Sequence, residues 1–133
     1  YYQKLKHMIK DKCYARCRGN VEAYTRQPLK GRTRGGGLRF GEMEKDCVIS
    51  QGIISFAKER LLYVSDDFVV DVCGHCGSLF LDSDEGQAKC RNCAQLKRSI
   101  KEVRIPYTAK QLTQELASMH IHPKMELKYE SPK

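Results

Sequence analysis

Phe68-Val69-Val70-Asp71-Val72-Cys73-Gly74-His75-Cys76-Gly77, followed after Cys76 by thirteen intervening residues and then Cys90-Arg91-Asn92-Cys93, decides the fold of this 133-residue chain. The first six residues are β-rich and predict a strand running into the first Cys turn. Each C-x-x-C turn presents two sulfurs to one point, and Gly74 after the first Cys is expected to ease the tight backbone. Two such turns brought together make a tetrahedral S₄ site of the kind Zn²⁺ favours. Cys73, Cys76, Cys90 and Cys93 are therefore the candidate metal ligands. Four thiolates around Zn²⁺ leave a net charge of −2, which Lys89, Arg91 and His75 can offset. An S₄ set has no open position, so the site reads as structural, not catalytic. A redox reading needs one C-x-x-C pair, not two. His75 sits inside the turn and is not expected to bind the metal.

The stretch from Ser78 to Ala88 offers little core beyond Leu79, Phe80 and Leu81. A structural zinc, supplying on the order of 10 kcal/mol, would make up the difference. The chain has seven cysteines in all. Their pairing as C-x-x-C points to metal in a reducing compartment rather than to disulfides. Cys13, Cys17 and Cys47 are scattered and read as small buried hydrophobes.

Toward the C-terminus, Ile100–Ile105 predicts another strand, ended by Pro106 and Tyr107. Thr108 and Gln111 form a T-x-x-Q capping box. Ala109, Leu112, Leu116 and Met119 line one helix face, and His120 to Pro123 stop the helix. His120 and His122 resemble a metal pair, with nothing nearby to complete it. From Lys124 the polar tail is expected to fray or to dock on a partner.

Toward the N-terminus, Gly41–Ser65 reads as one long helix buried on more than one side. Met43, Cys47, Ile54, Ala57 and Leu61 form the stripe, and Ile49, Ile53, Phe56 and Leu62 widen it. Glu42, Glu44 and Asp46 near its start and Lys58 and Arg60 near its end suit the helix dipole. Gly52 within it costs about 1 kcal/mol against Ala, which a close backbone approach would explain. Arg18 to Phe40 predicts a long loop ending in the flexible Gly35-Gly36-Gly37. A loop of that length is functional or disordered. No G-K-[ST] follows the glycines, which excludes a P-loop. Tyr1–Lys12 alternates, with Tyr1, Leu5 and Ile9 on one side and Lys4, Lys6 and Lys10 on the other. That favours a strand, with a partial helical stripe at Leu5, Met8 and Ile9 as the alternative.

The net charge of +8 is confined to the first third. Residues 1–45 hold twelve Lys/Arg against four Asp/Glu, and residues 46–133 hold twelve against twelve. Basic residues crowd the loop (Arg18, Arg26, Lys30, Arg32, Arg34, Arg39), opposed there by Glu22 alone. Cations on a loop seated against a helix suit the backbone of an anionic polymer. A pure protein-interaction scaffold would have to explain this segregated charge and ranks last, and a solvated basic face with no partner is the bland alternative. Charges interrupt every apolar stretch, so neither a membrane span nor a signal peptide is expected. The start at Tyr1 rather than Met suggests a piece of a longer protein.

The runs YYQKLKHMIKDK (residues 1–12), TRQP (25–28) and GGGLRFGEMEKD (35–46) resemble the C-terminal region of the second-largest subunit of multisubunit DNA-dependent RNA polymerase. The resemblance covers essentially the whole chain, and R-F-G-E-M-E after a glycine loop is its most specific part. The first half, to about Asp67, resembles both the bacterial β subunit and its archaeal and eukaryotic counterparts. The Cys₄ ribbon and IPYTAKQLTQEL resemble the archaeal–eukaryotic type alone. Lys45 stands where cellular members carry Arg, and Gly35 where Asp is common. The source therefore stays open between a large cytoplasmic DNA virus and a nuclear enzyme.

The resemblance implies an α+β fold. Residues 1–67 would form a hybrid-binding and switch-loop region with its anchor helix. Residues 68–133 would form a clamp region, with the zinc ribbon at 68–105 and a C-terminal helix at 106–122. It implies that Lys4, Lys12, Arg26, Arg32, Arg34 and Arg39 face template DNA or the RNA–DNA hybrid. Such contacts read backbone shape, not base sequence. No D-x-D-x-D cluster occurs, so no catalytic residue is expected here. The catalytic Mg²⁺ would sit on the largest subunit, which with other polymerase subunits is the expected partner. Location would be intracellular: the nucleus for a cellular enzyme, host cytoplasm or virion for a viral one. The competing reading is a stand-alone zinc-ribbon nucleic-acid-binding protein without enzymatic activity.

Overall fold

The computed structural model describes residues 1–80, 90–93 and 100–128. Helix α1 spans Glu42–Ser50, and α2 spans Ile54–Lys58 and continues as a π-helical turn, Glu59–Tyr63. Strands β1 (Asp67–Cys73), β2 (Leu79–Phe80) and β3 (Ile100–Pro106) follow, and α3 spans Tyr107–Ser118. The fold is α+β, as the sequence leads one to expect.

β1 is the central strand of an antiparallel sheet of order β2-β1-β3. It pairs with β3 along its whole length, from Asp67 opposite Pro106 to Cys73 opposite Ile100. Its alternation buries Val70 and Val72 on one face and leaves Val69 outward. Among the described residues the buried apolar set is small: Val48, Val70, Val72, Cys73 and Cys90. Burying a Val side chain stabilises by roughly 1.5–3 kcal/mol. Three valines together thus contribute roughly 4.5–9 kcal/mol, less than a single structural zinc would at on the order of 10 kcal/mol.

The expected single helix over 41–65 is broken. Gly52 adopts φ +69, and the chain leaves α1 through a Schellman turn. In that turn the Ile53 N–H donates to Val48 O at 3.3 Å and the Gly52 N–H to Ile49 O at 3.0 Å. Nothing lies within 4 Å of a side chain placed at Gly52. The glycine is there for its left-handed backbone, not for a close approach. The expected burial on several sides is also corrected. Val48 is the one buried residue of α1, while Met43, Ile49, Ile53, Ile54 and Leu61 are exposed.

The N-terminal strand expected over Tyr1–Lys12 does not form. Residues 1–8 have no regular structure, and Ile9–Asp11 is a 3₁₀ turn. Tyr1, Leu5 and Ile9 are exposed, and among the described residues no strand pairs with this segment to satisfy an extended ladder. Cys13, Cys17 and Cys47 are exposed too, contrary to the buried reading.

The capping box at Thr108 is replaced by a long-range cap. α3 starts at Tyr107 with no side-chain cap from its own N-cap residue. Asp66, 4% exposed, takes that role from before β1. The helix also stops at Ser118, short of the expected 122. His120 takes φ +62, with its N–H donating to Ala117 O and that of Ile121 to Leu116 O. This is again a Schellman turn, with His where glycine is commonest.

Candidate metal centre and basic loop

β1 delivers Cys73 to the sheet end, fully buried. The turn after it closes through the Gly77 N–H to Cys73 O at 2.8 Å and the Cys73 N–H to Ser78 O at 3.0 Å. The residue with left-handed backbone in this turn is Gly77, at φ +72, and not Gly74. Cys90 and Cys93 face the turn. Cys73 Sγ lies 3.6 Å from Cys93 Sγ, and Cys76 Sγ lies 3.4 Å from Cys90 Sγ. All four ligand atoms lie within 4.8 Å of one another. A tetrahedral S₄ site with Zn–S near 2.3 Å needs sulfurs about 3.8 Å apart. The four residues fit the group, and they are the four that the sequence spacing selects. His75 and His122 are not in the cluster.

The electrostatics favour thiolates. Burial alone would push the Cys73 thiol up, but hydrogen bonds from the Cys76 and His75 backbone, with the Cys76 and Cys93 thiols, bring it down to about 6. Cys76 is lowered first by its hydrogen bond with the Ser78 hydroxyl, against the opposing effect of burial. Of the cations expected to offset a Zn(Cys)₄ charge, Arg91 is exposed beside Cys90 and Lys89 lies outside the described residues.

The basic loop is folded rather than a flexible glycine tether. Arg32–Arg34 form a 3₁₀ turn. The Gly36 N–H donates to Gly31 O at 2.9 Å and the Gly37 N–H to Leu29 O at 2.8 Å. From outside, the Tyr14 hydroxyl donates to Gly36 O, and Arg16 Nη1 donates to Gly35 O at 2.5 Å. A side chain on Gly36 would overlap the Leu29 carbonyl, so the loop closes around a position that only glycine fills.

The structure divides the expected basic residues. Arg32 Nη2 donates to Lys10 O at 2.7 Å and sits 3.9 Å from Asp11. This brings the Ile9–Asp11 turn against the Arg32–Arg34 turn. Lys4, Lys12, Arg34 and Arg39 are exposed. Arg26 goes elsewhere: its guanidinium lies 4.4 Å from the Tyr107 ring centroid and 5.0 Å from that of Phe68. Those rings meet edge to face at 5.2 Å. The nearby Tyr24 hydroxyl donates to Glu115 of α3 at 3.1 Å. Sequence reasoning missed Tyr14 and Arg16 as loop clamps, and also Asp66, Ser78, Asn92 and His122. Apart from Asn92, which lies inside the second C-x-x-C turn, none belongs to the motifs that carry the reading, and their roles come from chain segments far apart in sequence.

Comparison with known proteins agrees along the whole chain. Residues 36–128 match the family described as RNA polymerase Rpb2, domain 7, and residues 1–34 match RNA polymerase Rpb2, domain 6. The DNA-directed RNA polymerase II subunit RPB2 of Meyerozyma guilliermondii is 52% identical over 127 residues, covering 94% of this chain and 10% of that protein. A probable RNA polymerase II subunit RPB2 homolog of Invertebrate iridescent virus 3 is 47% identical over 127 residues, covering 96% and 11%. The RNA polymerase III subunit RPC2 of Schizosaccharomyces pombe is 50% identical over 130 residues, covering 98% and 11%. The chain thus spans about a tenth of the length of these relatives. With both domain matches in sequence order and about half of all positions identical, the chain belongs to the Rpb2 family, the second-largest subunits of DNA-directed RNA polymerase, and corresponds to their C-terminal region.

Proposed function

We propose that this region serves DNA-templated RNA synthesis as a non-catalytic part of the polymerase. Its basic loop holds the template strand or the RNA–DNA hybrid, and its cysteine ribbon stands in the clamp against the largest subunit. The observation that carries this reading is the folded loop. Tyr14 and Arg16 fix its backbone, so Arg34 and Arg39 are presented from a set frame rather than a floppy one. Fixed cations bind backbone phosphates at lower ordering cost than mobile ones. Lys4, Lys12, Arg26 and Arg32 complete the proposed contact set, Arg26 from its seat on Phe68 and Tyr107. Cys73, Cys76, Cys90 and Cys93 would hold Zn²⁺, which when bound supplies folding free energy and no reactive position. A cellular polymerase subunit would reside in the nucleus and a viral one in host cytoplasm or virion.

The test is made in the assembled enzyme. Arg34→Glu with Arg39→Glu should weaken retention of a preformed template–transcript complex irrespective of base sequence, while the subunits stay associated. Unchanged retention across a salt series would remove the contact role. A chain that purifies without a largest-subunit partner and makes no RNA would favour the stand-alone zinc-ribbon reading.

A further inference from the structure

Ser78 is 8% exposed, and its hydroxyl is the meeting point of three chain segments. Cys76 Sγ lies 3.4 Å from it, Asn92 Nδ2 donates to it at 2.6 Å, and His122 Nε2 lies 3.1 Å away. A hydroxyl has one donor and two acceptor sites. With Cys76 as the thiolate that metal binding requires, Ser78 O–H donates to the sulfur. Its two lone pairs then take Asn92 N–H and His122 Nε2–H, and every site is used. Asn92 belongs to the second Cys turn, so the same oxygen ties both turns together.

The segment that brings His122 is itself anchored. The Met125 N–H donates to Gly77 O at 2.9 Å. Lys124 and Met125 pack so closely on Gly77 that a side chain there would lie 2.6 Å from Lys124 Cγ and from Met125 O. The sequence led one to expect fraying or docking on a partner from Lys124 onward; here Lys124 and Met125 lie against the metal turn of their own chain. His122 and Pro123 wall an open cavity of about 380 Å³ that also reaches Cys90 and Asn92.

We infer that His122, acting through Ser78, is a positioning residue for the four-cysteine centre, and that the segment 120–125 is a latch that slows release of the metal. This rests on the reading of Cys73, Cys76, Cys90 and Cys93 as a metal site. The Schellman turn at the end of α3 aims the latch, and removal of His122 takes away one of the three partners of the Ser78 hydroxyl without touching a ligand. Hydrogen bonds one step out from a metal orient its ligands, and their loss costs about tenfold or more in metal retention.

The experiment measures alkylation of each cysteine by N-ethylmaleimide in the full protein within its assembly, with and without a zinc chelator, read by peptide mass spectrometry. In the parent, modification of Cys73, Cys76, Cys90 and Cys93 should require chelator. In His122→Ala it should run about tenfold faster at the same chelator concentration, with equal starting zinc. His122→Gln, which keeps a donor near the Nε2 position, should return toward the parent rate. Unchanged rates at Cys13 and Cys47 would show that the rest of the fold is kept. Equal rates in parent and His122→Ala overturn the latch and leave the metal reading standing. Fast modification of all four in the parent without chelator overturns both.

Discussion

The carboxylate of Asp66 accepts two hydrogen bonds from Thr108, from its backbone N–H at 3.0 Å and from its hydroxyl at 2.9 Å. The Asp66 carbonyl takes the N–H of Tyr107 at 2.8 Å as well. One residue, placed before β1, thus satisfies two of the open N-terminal N–H donors of α3 and fixes the helix to the sheet. Asp66→Ala should cost about 1–3 kcal/mol, since it removes a cap and orphans the half-buried N–H and hydroxyl of Thr108. Asp66→Asn should recover part of that. Hydrogen exchange at the first turn of α3 would report it, and protection equal to the parent in Asp66→Ala would count against the cap.

Cys73→Ser with Cys76→Ser removes two of the four sulfurs. Zinc content should fall by one equivalent, and the β1–β3 sheet should become protease-sensitive while α1 stays protected. Unchanged zinc and protease resistance would show that the cysteines hold nothing.

Gly52→Ala forces a side chain into the left-handed region at the end of α1, with open space around it. The expected loss is about 1–2 kcal/mol, from backbone strain alone. Gly52→Asn should cost less, because Asn tolerates that conformation. Equal thermal midpoints for the Ala and Asn variants would argue that another feature ends the helix.

Gly36→Ala should disrupt the basic loop without disturbing the metal centre. The added carbon overlaps the Leu29 carbonyl and lies 2.8 Å from that of Gly31. Retention of the template–transcript complex should drop while zinc content holds. Loss of both together would mean that the two sites share one folding unit.

Arg34→Ala should weaken retention about equally for all template sequences. If Arg34 contacts one phosphate, the slope of log affinity against log salt should become shallower by about one. The measurement is a salt titration of the assembled enzyme.

What the sequence shows well is chemistry set by local spacing. Two C-x-x-C pairs select the four sulfurs that converge, and Ile100–Ile105 reads as the strand that forms. The α3 stripe marks a helix, though Leu112 and Met119 are exposed. What it hides depends on tertiary placement. The apolar run from Met43 to Leu62 looks like a buried helix because periodicity cannot tell a face covered within the chain from one left open. The Thr108 box looks self-sufficient until Asp66 supplies the acceptor instead. The tie between Ser78 and His122 joins residues 44 positions apart, beyond the reach of any spacing rule.

Arg26 rests on the faces of two aromatic rings, and Lys110 Nζ lies 4.9 Å from Tyr107 and 5.0 Å from Phe68 on the same pair. A cation over a ring surface keeps its attraction over a range of positions, unlike a hydrogen bond, which weakens steeply off its line. This contact joins the stretch matching domain 6 to the β1–α3 junction of domain 7. The seat therefore tolerates small displacements of the guanidinium that would break an aligned hydrogen bond, whereas the Tyr24–Glu115 hydrogen bond beside it sets direction.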